Sequence, residues 1–285
     1  MTLKTAIVTD TNSGISPGQA KEMGIHLIPM PFRIDDEIYL EGYDCTPALL
    51  FQKLRRGAHV STSQPSPGQI TELWDRLLET HDRILHFPMS SELSGSCQSA
   101  QALAGEYDGR VLVVDDRRIS VTLMQSIRNA QTLLAQGKGP EEVRDILEEE
   151  RLSAGIYLAV NTLELLKRSG RVTAAAAAMA AVLHIKPVLQ IQGGKLDAYR
   201  KVRGMVQAKK VLLEALRKDL TARFAGMKMA VFSGYSGADP ALGLAWQKEV
   251  QAAFPDYQVG LIALPLSICC HTGEGALGVA CVKEW

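Results

Sequence analysis

Three short aliphatic runs, "TAIVTD" (residues 5–10), "RILHFPM" (83–89) and "RVLVVDD" (110–116), each stop at polar or small residues, and stretches with helical periodicity separate them. Short β-branched and aliphatic runs alternating with helical patterns are the signature of βαβ units, and parallel strands need such crossovers. The expectation is therefore an α/β fold with a parallel sheet in the first part of the chain. Ligands of such sheets bind outside the carboxyl ends of the strands. Those ends here carry Asp10, the segment 90–96 and the pair Asp115 and Asp116.

After the turn "QGKGP" and the charged helix "PEEVRDILEEERLSA" the strand-like pattern restarts with "GIYLAV", and it continues through "HIKPVLQIQGGKLDAYRKV", "KMAVFSG", "QVGLIALP" and "GALGVACV". A boundary near Ala154 divides the chain into residues 1–153 and 154–285. With 285 residues, 46% of them apolar, the chain can fill two cores. Gly193 and Gly194 sit between two strand-like runs and predict a hairpin, so the second part reads as a mixed sheet with helices on one side. The run "TAAAAAMAAVL" (173–183) predicts a helix whose apolar face continues to Leu183. Its alanines serve either close packing or an apolar guest.

Charge excludes several classes of function. Lys and Arg total 31, as do Asp and Glu, so no overall field favours nucleic acid or an anionic membrane. The first apolar run ends at Asp10, too soon for a signal peptide or a membrane span, and the expectation is a cytoplasmic protein without stable membrane insertion. Five cysteines without a C-x-x-C pair argue against a disulfide framework or a zinc ribbon. Read as part of a strand, Cys269, Cys270 and His271 point in different directions and predict no metal site.

Two glycine patterns look like known motifs and fail on context. "GEGALG" (273–278) spells a dinucleotide fingerprint, but only seven residues follow it, too few for the helix, strand and acid that the motif requires. No nucleotide cofactor is expected, and the glycines instead allow close approach of backbone to a ligand or a strand. "GYSGAD" (234–239) places its glycine one position too early for a nucleophile elbow and reads as a turn.

The serine-rich turns "STSQPS" (61–66) and "SELSGS" (91–96) admit two readings. In one, Ser94 and His271 are nucleophile and base of an acyl ester hydrolase, with Asp10 or Asp115 orienting the histidine. In the other, the hydroxyls, backbone N–H groups and His271 cradle a carboxylate, whose burial needs several donors. A basic cluster of Lys167, Arg168, Arg171, Lys201, Arg203, Lys209 and Lys210 is either a solvated face or a docking surface for an acidic partner.

Taken in order, "TDTNSGIS", "VSTSQPSPGQ", "SSELSGSCQSA", "LELLKRSGRVTAAAA", "IKPVLQIQGGKL", "KVRG" and "HTGEGALG" resemble the DegV family of bacterial fatty-acid-binding proteins, from Ala6 almost to the C-terminus. The resemblance implies an amino-terminal α/β/α domain with a parallel sheet, a carboxyl-terminal two-layer α/β domain with a mixed sheet, and a fatty acid between them. It implies a carrier that is not itself an enzyme, takes no cofactor, and presents a long-chain acid to a fatty acid kinase for conversion to acyl phosphate in phospholipid metabolism. A monomer is expected. By the same resemblance Thr62, Ser94 and His271 hold the carboxylate, with Ser63, Gly95, Ser96 and Thr272 beside them, while Arg171 and Arg203 dock the kinase. The chain departs from the family pattern at Ser96, often threonine, at Asp116, usually serine, at His184, often asparagine, and at Glu274, often proline. Glu274 is expected to bring a carboxylate near the anion and raise the pKa of His271.

Overall fold

The computed structural model describes residues 3–179 and 185–285, so Leu183 and His184 lie outside the described residues. The first part runs β1 (Thr5–Asp10), α1 (Pro17–Met23), β2 (His26–Ile28), β3 (Pro31–Ile34), β4 (Glu37–Leu40), α2 (Pro47–Arg55) and β5 (Val60–Thr62). It continues with α3 (Pro67–Leu78), β6 (Arg83–Phe87), α4 (Ser96–Ala104), β7 (Val111–Val113), α5 (Val121–Ala135) and α6 (Pro140–Glu149). Four of these strands form a parallel sheet in the order β2-β1-β6-β7. Both faces are covered, which explains why the strands read as unbroken aliphatic runs. Ala6, Val8, Ile84 and Val111 pack on Ile70 and Trp74 of α3 and on Cys97 of α4. On the other face Ile7, Leu85 and Leu112 join Ile127 of α5 and Val143 and Leu147 of α6.

The segment Ser-Pro-Gly-Gln opens both α1 and α3. Ser16 and Ser66 accept from the N–H of Gln19 and Gln69, each glutamine side chain accepts from the serine N–H in return, and proline occupies the first turn. These reciprocal caps fix where the helices start.

A second, antiparallel sheet in the order β4-β3-β5 was not foreseen. Its strands have only three or four residues, too few to show a period, yet its β5 places Thr62 opposite Phe32.

The second part begins at β8 (Ala154–Ala159) and runs α7 (Glu164–Ser169), α8 (Ala174–Ala178), β9 (Ile185–Ile191), β10 (Asp197–Arg203), α9 (Gly204–Lys218), β11 (Met229–Tyr235), α10 (Pro240–Ala253), β12 (Val259–Ala263), α11 (Leu266–Thr272) and β13 (Leu277–Lys283). Its sheet is mixed, in the order β10-β9-β8-β13-β11-β12. β9 and β10 pair antiparallel around Gly193 and Gly194, the hairpin predicted from sequence, while β11 and β12 are parallel and joined through α10. One face carries α9 and α10, with Val211, Leu212, Trp246 and Val250 on Tyr157, Val188, Val231 and Cys281. The opposite face, with Leu158, Phe232, Ile262 and Ala280, shares a core with α5 of the first part.

The segment holding Cys269, Cys270 and His271 is a helix, where a strand had been expected. Pro265 precedes it, and Gly273 at φ 71° stops it by leaving the helical region. Gly275 is also forced: at φ 81° it passes so close to Asn161 that a Cβ would lie 2.3 Å from the amide nitrogen. The "GYSGAD" segment is the turn between β11 and α10, capped by Asp239. Among the described residues no helix is long and apolar enough to cross a membrane.

Candidate functional site

The parallel sheet presents two strand ends to α11. Asp10, at the end of β1, accepts from the backbone N–H of Asn12 (2.9 Å) and of Met89 (2.8 Å), which ties the turn after β1 to the turn after β6. Burial lifts its carboxyl to about 6, against the lowering effect of these bonds. The turn after β6 folds back so that the N–H groups of Leu93 and Ser94 both reach Ser90 O, and Ser94 Oγ accepts from Ser96 N (3.2 Å). Thr62 comes from the end of β5 and His271 from the last turn of α11; Thr62 Oγ1 and His271 Nε2 lie 3.0 Å apart.

These elements enclose a polar chamber of about 170 Å3. Thr62, Ser63, Ser94, Gly95, His271 and Thr272 all line it, as does Arg171. Ser96 does not. It is the first residue of α4, buried, and its Oγ has no hydrogen-bond partner. Asn12 and Ser267 also face the chamber, and neither was singled out in the sequence.

Electrostatically the chamber suits an anion. Arg171, expected to dock the kinase, lines it half-buried, its guanidinium donating to Ser169 O. Burial, and secondarily the charge of Arg171, lowers His271 to about 4, so the imidazole is neutral at pH 7. The expected upward shift from Glu274 is absent because both oxygens of that carboxylate turn away to Arg55 Nη1, at 2.6 and 2.7 Å. This pair joins α2 to the segment after α11. His271 Nδ1 has no partner, and Asp10 and Asp115 are occupied elsewhere, Asp115 by Ser91 N at 3.4 Å. Among the described residues no carboxylate orients the imidazole as a Ser-His-acid arrangement requires.

A smaller apolar chamber of about 70 Å3 adjoins it, and Ile119, Leu196, Ile268 and Thr272 line both. Its remaining walls come from both parts of the chain, with Val121 at the start of α5 facing Ile156, Phe232, Ile262 and Ala280 of the mixed sheet. The polyalanine helix lines neither chamber, and Ala176 packs in the core. Cys269 and Cys270 are buried thiols whose pKa values burial pushes up, to about 12 for Cys269. Arg203 is exposed at the end of β10, and among the described residues neither it nor Lys201 nor Lys210 makes an ion pair. Lys209 pairs with Glu249 at 2.5 Å.

Fold and chambers together define a two-part α/β protein with an amphipathic pocket at the junction of its parts. The chain belongs to the DegV family: the family described as "Uncharacterised protein, DegV family" matches residues 4–284. A DegV domain-containing protein of Deinococcus radiodurans is 31% identical, over 96% of this chain and 97% of its own. The structure of a fatty-acid-binding DegV family protein of Thermus thermophilus superposes with a TM-score of 0.89 at 33% identity, over 99% of this chain and all of its own. A DegV lipid-binding protein of Thermotoga maritima superposes with a TM-score of 0.82 at 26% identity, over 99% of both chains.

Proposed function

We propose that this chain binds a long-chain fatty acid, its carboxylate in the polar chamber and its tail in the apolar one, and presents the carboxylate to a fatty acid kinase. The observation that carries the reading is that the two chambers adjoin and share four wall residues. A cradle of hydroxyls, a neutral imidazole and one guanidinium lies against an apolar space, an arrangement that suits an amphiphile with a single anionic end. The fatty acid bound by the Thermus relative supports the same reading.

Energetics agree with a carrier. At about 0.8 kcal/mol per buried CH2, a chain of about sixteen carbons contributes on the order of 10 kcal/mol before association costs. The polar end then serves orientation, and Arg171 supplies its charge. Arg203, exposed and unpaired, is the docking residue in this proposal, and residues 1–153 and 154–285 are its two domains.

Native mass spectrometry of the purified protein, followed by lipid extraction, tests the reading. A stoichiometric fatty acid, reduced in Ser94→Ala, is the expected result; a protein that is empty and takes up no added fatty acid refutes it. With the cognate kinase, Arg203→Ala is expected to lower acyl phosphate formation while leaving lipid content intact, and unchanged turnover refutes the docking role.

A further inference from the structure

Behind the polar chamber a buried carboxylate shares one serine with an amide. Glu41, after β4, is 5% exposed. Its Oε1 accepts from Ser267 N (3.2 Å), and its Oε2 lies 2.6 Å from Ser267 Oγ and 3.1 Å from Thr11 Oγ1. Ser267 Oγ lies in turn 2.8 Å from Asn12 Oδ1, and Ser267 and Asn12 both line the chamber.

A hydroxyl carries one proton, so Ser267 donates to Glu41 or to Asn12 but not to both. With Glu41 ionised, the serine proton goes to the carboxylate. Asn12 must then offer its NH2 to the serine oxygen, and its carbonyl takes the outer place. With Glu41 protonated, the carboxyl donates to Ser267 and Ser267 donates to Asn12 Oδ1. The Asn12 NH2 then holds the outer place, where it reaches the Asp10 carboxylate and the thioether of Met89 at 3.1 Å, a weak acceptor that also lines the chamber. A carbonyl dipole beside the chamber repels an anion and an NH2 group attracts one.

We infer that Asn12 is a further ligand of the anionic head group and that Glu41, acting through Ser267, is its positioning residue, so that the fatty acid anion enters together with one proton that resides on Glu41. This rests on the fatty-acid reading above and adds a residue pair and a proton to it.

The surroundings of Glu41 fit a carboxyl that exchanges a proton near neutrality. Burial raises it to about 7, opposed by hydrogen bonds from Ser267, Thr11 and the Leu266 N–H. The other titratable groups facing it are the thiols of Cys45, before α2, and of Cys269 and Cys270 on α11, all held protonated by burial. No described cation forms an ion pair with it. Facing Asn12 is Asp10, raised to about 6. His271, across the chamber, is lowered to about 4 by burial and by Arg171 and titrates well below.

The test measures binding of cis-parinaric acid, an 18-carbon fluorescent fatty acid kept below its aggregation concentration, to the delipidated full chain from pH 6 to 8.5. The monomeric probe is ionised throughout. The wild-type Kd is expected to rise roughly thirtyfold across this range, as uptake of one proton by a group that titrates near 7 requires. Glu41→Gln, whose amide NH2 donates to Ser267 as the protonated acid does, is expected to lose the slope and stay near its pH 6 affinity. Ser267→Ala, which removes the link, is also expected to be flat. A flat wild-type profile, or equal slopes in wild type and Glu41→Gln, overturns the inference while leaving fatty-acid binding intact. Absence of probe binding at pH 6 in the wild type overturns the fatty-acid reading itself, and this inference with it.

Discussion

Ala280→Leu offers a measurement of where the acyl tail lies. Ala280 sits on β13 between Ile156 of β8 and Phe232 of β11, and all three residues wall the apolar chamber. The substitution adds three carbon atoms to the wall of this small chamber and takes up room that a tail would occupy. If three methylenes of the tail are displaced, the loss is about 2 kcal/mol, from the ~0.8 kcal/mol that each buried CH2 contributes. That corresponds to roughly thirtyfold weaker binding. The loss depends on chain length, because an acid that ends before the chamber has nothing to lose there. Titration of saturated acids from ten to eighteen carbons against both proteins is therefore expected to give equal affinities for the short members and a gap that opens and then levels with length. A uniform loss for every length means that the substitution has distorted the protein, and no loss at any length means that the tail takes another route. Either result refutes the placement.

At the other end of the proposed ligand, Thr62→Val and His271→Ala each remove a polar partner that this reading assigns to the carboxylate. Hydrogen bonds to charged groups contribute about 1.5–3 kcal/mol, so retention of long and short acids alike is expected to fall roughly tenfold or more, read by the same titration. Stability depends on pH through Glu41. Its folded pKa, about 7, lies above the unfolded carboxyl range, so its contribution is present below that range and fades as the pH rises through 7. Urea unfolding at pH 6 and pH 8 is expected to show the stability of wild type relative to Glu41→Gln falling by about 1 kcal/mol between the two. The buried histidines His86 and His271, lowered by desolvation, shift in the opposite sense but alike in both proteins and cancel. A pH-independent difference refutes the assignment of a near-neutral pKa to Glu41.

How much of this could be read from the chain alone follows from the range of the interactions. Three strands of the parallel sheet were legible because both faces are buried and each is an aliphatic run, as at Ile84, Leu85 and Phe87, whereas the edge strand β2, three residues beginning with His26, was not. The β9–β10 hairpin announced itself through two adjacent glycines. The three-stranded sheet carried no such signal, and α11 was misread because "SICCH" is apolar and β-like while its helical state is set by Pro265 before it and Gly273 after it. Thr62, Ser94 and His271 came from motifs taken together. Asn12, Glu41 and Ser267 were invisible because nothing local marks a serine that will be buried against two polar residues 255 and 226 positions away, separations that are bridged only in the finished fold. Ser96 shows the converse, a hydroxyl in a motif rich in hydroxyls that the first turn of α4 carries out of the chamber.

The thread from Asn12 through Glu41, Thr62 and Ser94 to Ser267 and His271 spans almost the whole chain. The site closes only when the last helix docks onto the first strand's turn and the short sheet, a closure of very long loops that comes late in folding. On the fatty-acid reading, a bound ligand would act as a fastener across that closure, stabilising the native state by RT ln(1 + [L]/Kd), so that lipid supply would set how firmly the site is held together.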